Sequence, residues 1–145
     1  MHTEEIIFEV AKPPAEVWAR LVDMERAPDW VDNMQSSKRR GSGPTGVGTV
    51  FDQVVEMNGS SNQAELRVTV FDECSIFAHE GESGPASFQA RFELKSTAQG
   101  TNVVHTISVT LSGVMRMMES MIGGWVNKNA RESVLNLKRL IEAGQ

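Results

Sequence analysis

Over residues 88–95 the chain alternates without a break, with Phe88, Ala90, Phe92 and Leu94 apolar and Gln89, Arg91, Glu93 and Lys95 polar. Successive side chains of a strand point to opposite faces, so this segment belongs to a sheet with one dry and one wet side. A dry face has to be covered. One other segment is long enough to do so: from about 114 to 143, Met118, Ile122, Trp125, Val126, Leu137 and Leu140 recur at helical spacing, and Gly144 follows as a stop. Together the two patterns predict an α+β fold in which a long C-terminal helix lies in the concavity of an antiparallel sheet.

The remaining elements fit around that pair. Ile6, Phe8 and Val10 alternate up to Lys12-Pro13-Pro14, which ends a first strand and, with Pro14 in the first turn, starts a helix carrying Val17, Trp18, Leu21 and Val22. Pro28 interrupts this pattern, and Asp29-Trp30-Val31 reads as a further short helical turn. Residues 34–40, 49–57, 63–71, 75–80, 86–95 and 101–112 read as strands. Asn58-Gly59 is a hairpin signal between the third and fourth of the seven strands in all, and Gly81-Glu82-Ser83-Gly84-Pro85 and Gln99-Gly100 mark later turns.

Length, charge and rare residues narrow the function. With 145 residues, 40% of them hydrophobic, the chain is expected to form a single domain over 1–145. A net charge of -5 repels phosphate backbones, so nucleic acid is not expected as a partner, and Lys38-Arg39-Arg40 reads as a solvated strand end. No apolar run approaches the ~20 residues of a membrane span, no secretory leader is apparent, and a cytoplasmic location is expected. In that setting the glycosylation-like triplet Asn58-Gly59-Ser60 is read as a turn. Cys74 is the lone cysteine, and the three histidines, His2, His79 and His105, lack metal-ligand spacing, so neither a disulfide nor a metal is expected. The run Gly41-Ser42-Gly43-Pro44-Thr45-Gly46 satisfies a dinucleotide-binding pattern but leads into a strand, not a helix N-terminus, so no nucleotide cofactor is expected.

Phasing the strands gives a candidate interior. Phe51, Gln53 and Val55 point inward from one strand, Phe88, Ala90 and Phe92 from another, and Ile107 and Val109 from the last. The helix is expected to add Met115, Met118, Met121, Ile122 and Trp125, whose methionines adapt to irregular space. Three polar residues occupy inward positions: Gln53, His105 in the phase of Val103 and Ile107, and Asn129 one turn after Trp125. Burying such groups unpaired costs about 1–3 kcal/mol each, so they are expected to pair with one another, with water or with a ligand. For His105 the plain alternative is a bond to a backbone carbonyl or neighbouring hydroxyl. Gly123-Gly124 costs the helix about 1 kcal/mol per glycine, which points to a bend, to a close approach, or to a helix that starts only near Trp125.

The order strand, two short helices, six strands and long helix resembles the helix-grip fold of the START and Bet v 1-like superfamily. Pro13-Pro14-Ala15-Glu16-Val17-Trp18, Pro28-Asp29-Trp30, Gly46-Val47-Gly48-Thr49, Gly100-Thr101 and the closing Leu137-Lys138-Arg139-Leu140-Ile141-Glu142 carry the resemblance, and the polyketide cyclase/dehydrase-like branch is the most similar. The resemblance implies an internal cavity between sheet and helix for a small hydrophobic, lipid-like or polyketide-like molecule, bound by a monomer or homodimer without a cofactor. An alternative is a metal-free cyclase, aromatase or dehydratase in which His105 moves a proton and Asn129 orients a carbonyl; the absence of Tyr removes one frequent oxyanion donor. A second alternative is a protein-interaction module like the chaperone activators of this fold, which requires an apolar patch outside the sheet.

Overall fold

The strands form where β-branched and aromatic residues alternate, and they end where glycine, proline or short polar residues interrupt them. The protein is described by a computed structural model covering residues 1–57 and 59–145. In chain order the elements are β1 (His2–Val10), α1 (Pro14–Leu21), a 3-10 turn (Met24–Asp29), β2 (Met34–Arg39), β3 (Val50–Met57), β4 (Ser60–Asp72), β5 (Ile76–Ser83), β6 (Ala86–Thr97), β7 (Gly100–Leu111), a second 3-10 turn (Gly113–Met118) and α2 (Glu119–Glu142). All seven strands join one antiparallel sheet in the order β1-β7-β6-β5-β4-β3-β2. Met57 is the register partner of Ser60, whereas Asn58, expected to make that turn and to head the glycosylation-like triplet, lies outside the described residues.

Two local expectations are corrected. The turn read over 81–85 is confined to Gly84-Pro85, because Gly81, Glu82 and Ser83 continue β5. The second short helix contains Pro28 instead of following it, and Trp30 is its C-cap. A 3-10 segment of six residues makes few internal bonds, so a proline near its end removes little. Residues 41–49 contain no helix, and the first element they enter is β3, so no helix N-terminus directly follows that glycine-rich run.

The core lies between the concave face of the sheet, α1 and the second half of α2. Leu21, Phe51, Phe77, Val103 and Leu137 are each no more than 2% exposed. Trp18 meets Phe71 and Phe77 edge-on at 5.2 and 6.1 Å between ring centres, an arrangement that the ring quadrupoles favour. Four side chains tether α2 to the strand and loop around it. Ser133 Oγ accepts the Asp32 N–H at 3.0 Å, Asn136 Nδ2 donates to Trp30 O at 3.2 Å, Glu142 accepts the Ala11 N–H at 2.8 Å, and Lys138 Nζ donates to Glu9 O. Anchored in this way, the second half of α2 closes the apolar end of the sheet. Its first half spans the region where the space beneath is not filled.

Candidate functional site

A cavity of about 180 Å3 opens between the concave sheet and the middle of α2. Met24, Trp30 and Met34 close it from the segment after α1, Leu66, Phe88, Ala90, Phe92 and Ile107 from the sheet, and Trp125, Val126, Ala130 and Val134 from the helix. Ala90, Ala130 and Gly81 contribute little or no side chain to the wall, and a Cβ at Gly81 would press on the Glu65 carbonyl oxygen at 3.2 Å. An apolar cavity of comparable size, about 150 Å3, holds a benzene ring.

His105 is 5% exposed and sits on β7 between Ile6 of β1 and Phe92 of β6. Its ring stacks on Phe92, with centres 3.9 Å apart and planes inclined by 11°, and Phe92 in turn meets Trp30 edge-on at 6.4 Å. His105 Nδ1 lies 3.2 Å from Arg91 O. A carbonyl can only accept, so Nδ1 carries the proton and Nε2 bears the lone pair in the neutral ring. Burial lowers the His105 pKa from 6.5 to about 4, against a smaller opposing pull from the Arg91 carbonyl.

The polar side chains that face the cavity are not joined into one constellation. Gln53, 5% exposed, donates to Ser37 Oγ at 3.2 Å, Ser83 Oγ donates to Gln63 O at 2.8 Å, and Asn129 has no hydrogen-bond partner among the described residues. His79 also lines the cavity, opposite Ala90. It is half-buried, and desolvation, with a smaller contribution from His105, lowers its pKa to about 3. The two histidines flank β6 on β5 and β7, two strand spacings or about 10 Å apart, and do not touch. Among the described residues no group of three or more His, Cys, Asp or Glu is placed to hold a metal ion.

Of the residues predicted to bind a ligand, Gln53, Val55, Phe88, Ala90, Phe92, His105, Ile107, Trp125 and Asn129 share the cavity wall. Phe51, Met118, Met121 and Ile122 do not, and their placement is corrected. Phe51 is 2% exposed within the solid core. The inward line of α2 runs through Gly123, Val126, Ala130, Ser133, Val134, Leu137 and Ile141. Residue 121 lies about 140° away from Val126 on a helix of 3.6 residues per turn, so Met121 is 69% exposed. Met118 belongs to the 3-10 turn and is 40% exposed, and Ile122 is half-buried beside the wall. Periodicity in the sequence follows the large apolar residues of the helix, whereas its inward face is built partly from Gly, Ala and Ser.

Met24, Trp30, Met34, Leu66 and His79 were missed. His79 was within reach of sequence reasoning, because it shares a strand phase with Phe77 and Gly81. Met24 and Trp30 belong to a 3-10 turn and its cap, and Met34 opens β2 just before a register shift at Ser36, so none of them has a long period to read. The choice left open at Gly123-Gly124 is also resolved: α2 is helical from Glu119 onward, and a Cβ at residue 123 would run into the His2 ring, whereas none of this crowding exists at Gly124. Gly123 serves a close approach of β1.

A seven-stranded antiparallel sheet gripping a C-terminal helix around an apolar cavity defines a helix-grip protein of the Bet v 1-like class. The chain belongs to the family described as polyketide cyclase / dehydrase and lipid transport, whose model matches residues 2–142. Among solved structures it is similar to the ZhuI aromatase/cyclase from Streptomyces sp. R1128, with 16% identity, 97% of this chain and 93% of that one covered, and a TM-score of 0.82. It is also similar to Ara h 8.0201, with 16% identity, 98% of both chains covered and a TM-score of 0.78. TTHA0849 from Thermus thermophilus has 15% identity, 99% and 98% coverage and a TM-score of 0.76. At these identities the likeness is one of fold. No curated protein matches the chain. Among the described residues, no helix is long and apolar enough to cross a membrane.

Proposed function

We propose that residues 1–145 act as one domain that binds or carries a small hydrophobic molecule in the cavity between sheet and α2, without nucleic acid as a partner. The observation that carries this reading is the cavity itself, walled by aromatic, aliphatic and methionine side chains with a few separate polar groups. That composition is typical of small-molecule sites, in which apolar area supplies affinity and isolated polar groups supply orientation.

The cyclase reading takes His105 as a base and Asn129 as a carbonyl donor. Both line the cavity, but a histidine lowered to about 4 is a weak base at neutral pH. No hydrogen bond joins His105 to Asn129 among the described residues, and no carboxylate partners either ring nitrogen. These features favour binding over proton transfer.

The test is equilibrium binding of the uncharged two-ring fluorophore 1-naphthylamine to the wild-type protein and to Ala130→Leu. The wild type should bind with a saturable rise in dye emission and a change in tryptophan emission, since Trp30 and Trp125 border the space. Leucine at 130 adds three carbons to the cavity wall and should weaken binding at least roughly tenfold, equivalent to about 1.4 kcal/mol, in a variant whose fold is checked by circular dichroism. Equal binding by a folded Ala130→Leu places the dye elsewhere and removes the support for the cavity.

A further inference from the structure

Among the described residues, the cavity offers a ligand the lone pairs of His105 and Ser83 and no positive charge. His105 and Ser83 each have a single polar proton, and both protons are spent on backbone carbonyls, at Arg91 and Gln63. What these two side chains can turn to a bound molecule is therefore an acceptor: the Nε2 lone pair of His105, itself nine-tenths buried, and the oxygen of Ser83. Gln53 and Asn129 are amides that can accept or donate, and Ser133, whose oxygen takes the Asp32 N–H, keeps its own proton to donate. Among the described residues no Lys or Arg lines the cavity. The two acidic residues at its border, Glu65 and Glu82, are exposed register partners that also line a groove on the outer surface with Arg67 and Glu80.

We propose that this site selects uncharged molecules of one or two rings that bring a hydroxyl or N–H donor to His105 Nε2, and that it rejects carboxylates, fatty acids included. The inference rests on the reading of the cavity as a binding site and adds the chemical class of its ligand. The size limit follows from the 180 Å3 volume, little larger than the ~150 Å3 that holds benzene. The donor requirement follows from Nε2, which has no partner among the described residues, and a buried acceptor gains most from a donor when water is excluded. The rejection of carboxylates follows because an anion entering this space would lose its hydration and find no Lys or Arg to replace it. The Phe92–His105 stack and the edge of Trp30 give a flat ring its walls, so the donor has to lie in or near the plane of the ligand ring, as a phenol hydroxyl does.

Three probes of one shape separate these statements: 2-naphthol, naphthalene and 2-naphthoate, each competed at pH 7 against 1-naphthylamine. The expected order of affinity is naphthol, then naphthalene, then naphthoate, with naphthol ahead of naphthalene by roughly five- to tenfold, the worth of one net hydrogen bond. His105→Phe keeps a stacked ring and should bring the naphthol-to-naphthalene ratio close to one, the ratio cancelling any change in wall shape that both probes feel. Should that variant fail to fold, nitrogen-15 spectra of the wild type report the same bond. They should show Nδ1 protonated and Nε2 unprotonated in the free protein, and the Nε2 signal should move on addition of naphthol but not of naphthalene. Naphthoate binding as tightly as naphthol, or naphthol binding no tighter than naphthalene, overturns the proposal and leaves the cavity as an apolar site without this selectivity. If none of the three probes displaces the dye, the binding reading fails and this inference falls with it.

Discussion

At the scale of single residues, the buried histidines have the largest measurable consequence. His105 and His79 are held neutral by burial, with pKa values lowered from 6.5 to about 4 and about 3. Unfolding returns both rings to water and to the ordinary value. Between about pH 6.5 and 4, then, the unfolded chain takes up protons that the folded chain does not, and the unfolding free energy rises with pH. The stability is complete above pH 6.5 and is lost as pH falls, by up to about 1.4 kcal/mol per pH unit for each ring. Urea unfolding at pH 7, 6 and 5, above the range in which ordinary carboxylates protonate, should show a midpoint that falls steadily. His105→Phe should flatten that slope by about half; a wild-type midpoint independent of pH from 7 to 5 contradicts the burial of both rings. His105 was legible in the sequence from its strand phase and polar character. What its Nδ1 bonds to was not, because Arg91 O belongs to a neighbouring strand and its position is set by the β6–β7 register.

At the scale of elements, α2 carries the sharpest contrast. Gly124 is exposed and a Cβ there meets nothing, so Gly124→Ala should add the ordinary helix-propensity gain of about 0.5–1 kcal/mol and raise the melting temperature by about 2 °C. Gly123→Ala should add nothing or destabilise, since its methyl group has to turn the His2 ring away and break the 2.8 Å bond between His2 Nε2 and Glu4 Oε1. In a His2→Ala background the same substitution should recover the helix gain, and thermal unfolding of the four variants in a double-mutant cycle reads the coupling. A Gly123→Ala as stabilising as Gly124→Ala shows that the close approach has no energetic weight. The strands were legible almost to their ends because a period of two leaves one way to face a core. The helix was legible as a helix, but its inward line was not, because methionines outside that line are as apolar as the small residues on it.

At the scale of the whole molecule, large exposed apolar side chains gather at the start of the C-terminal helical region, where Val114 is 87%, Met117 90% and Met121 69% exposed, while Met24 beneath the cavity is 4% exposed. Oxidation of methionine follows access of peroxide to sulfur. Mild hydrogen peroxide followed by peptide mass spectrometry should convert Met117 and Met121 first and Met24 last, with dye binding retained while only the exposed methionines are modified. Early oxidation of Met24 would show the cavity floor to be open to solvent.

The sequence by itself determined the class of fold, because alternation over 88–95 demands a two-sided sheet and the C-terminal period demands a helix to cover it, and the turn residues between them leave little freedom of order. It also determined that His105, Gln53 and Asn129 are polar groups on inward phases. Only the tertiary structure decided that these groups stand apart instead of converging, that Phe51 fills core while Ala90 and Ala130 line the cavity, and that Met24, Trp30 and Met34 close it. The physical reason is that a residue's face follows from local periodicity, which is written in the chain. Whether the space in front of that face is filled depends on the summed volumes of side chains from several elements, set by strand register, by the rotation of α2 and by the path of an irregular segment, none of which has a period to read.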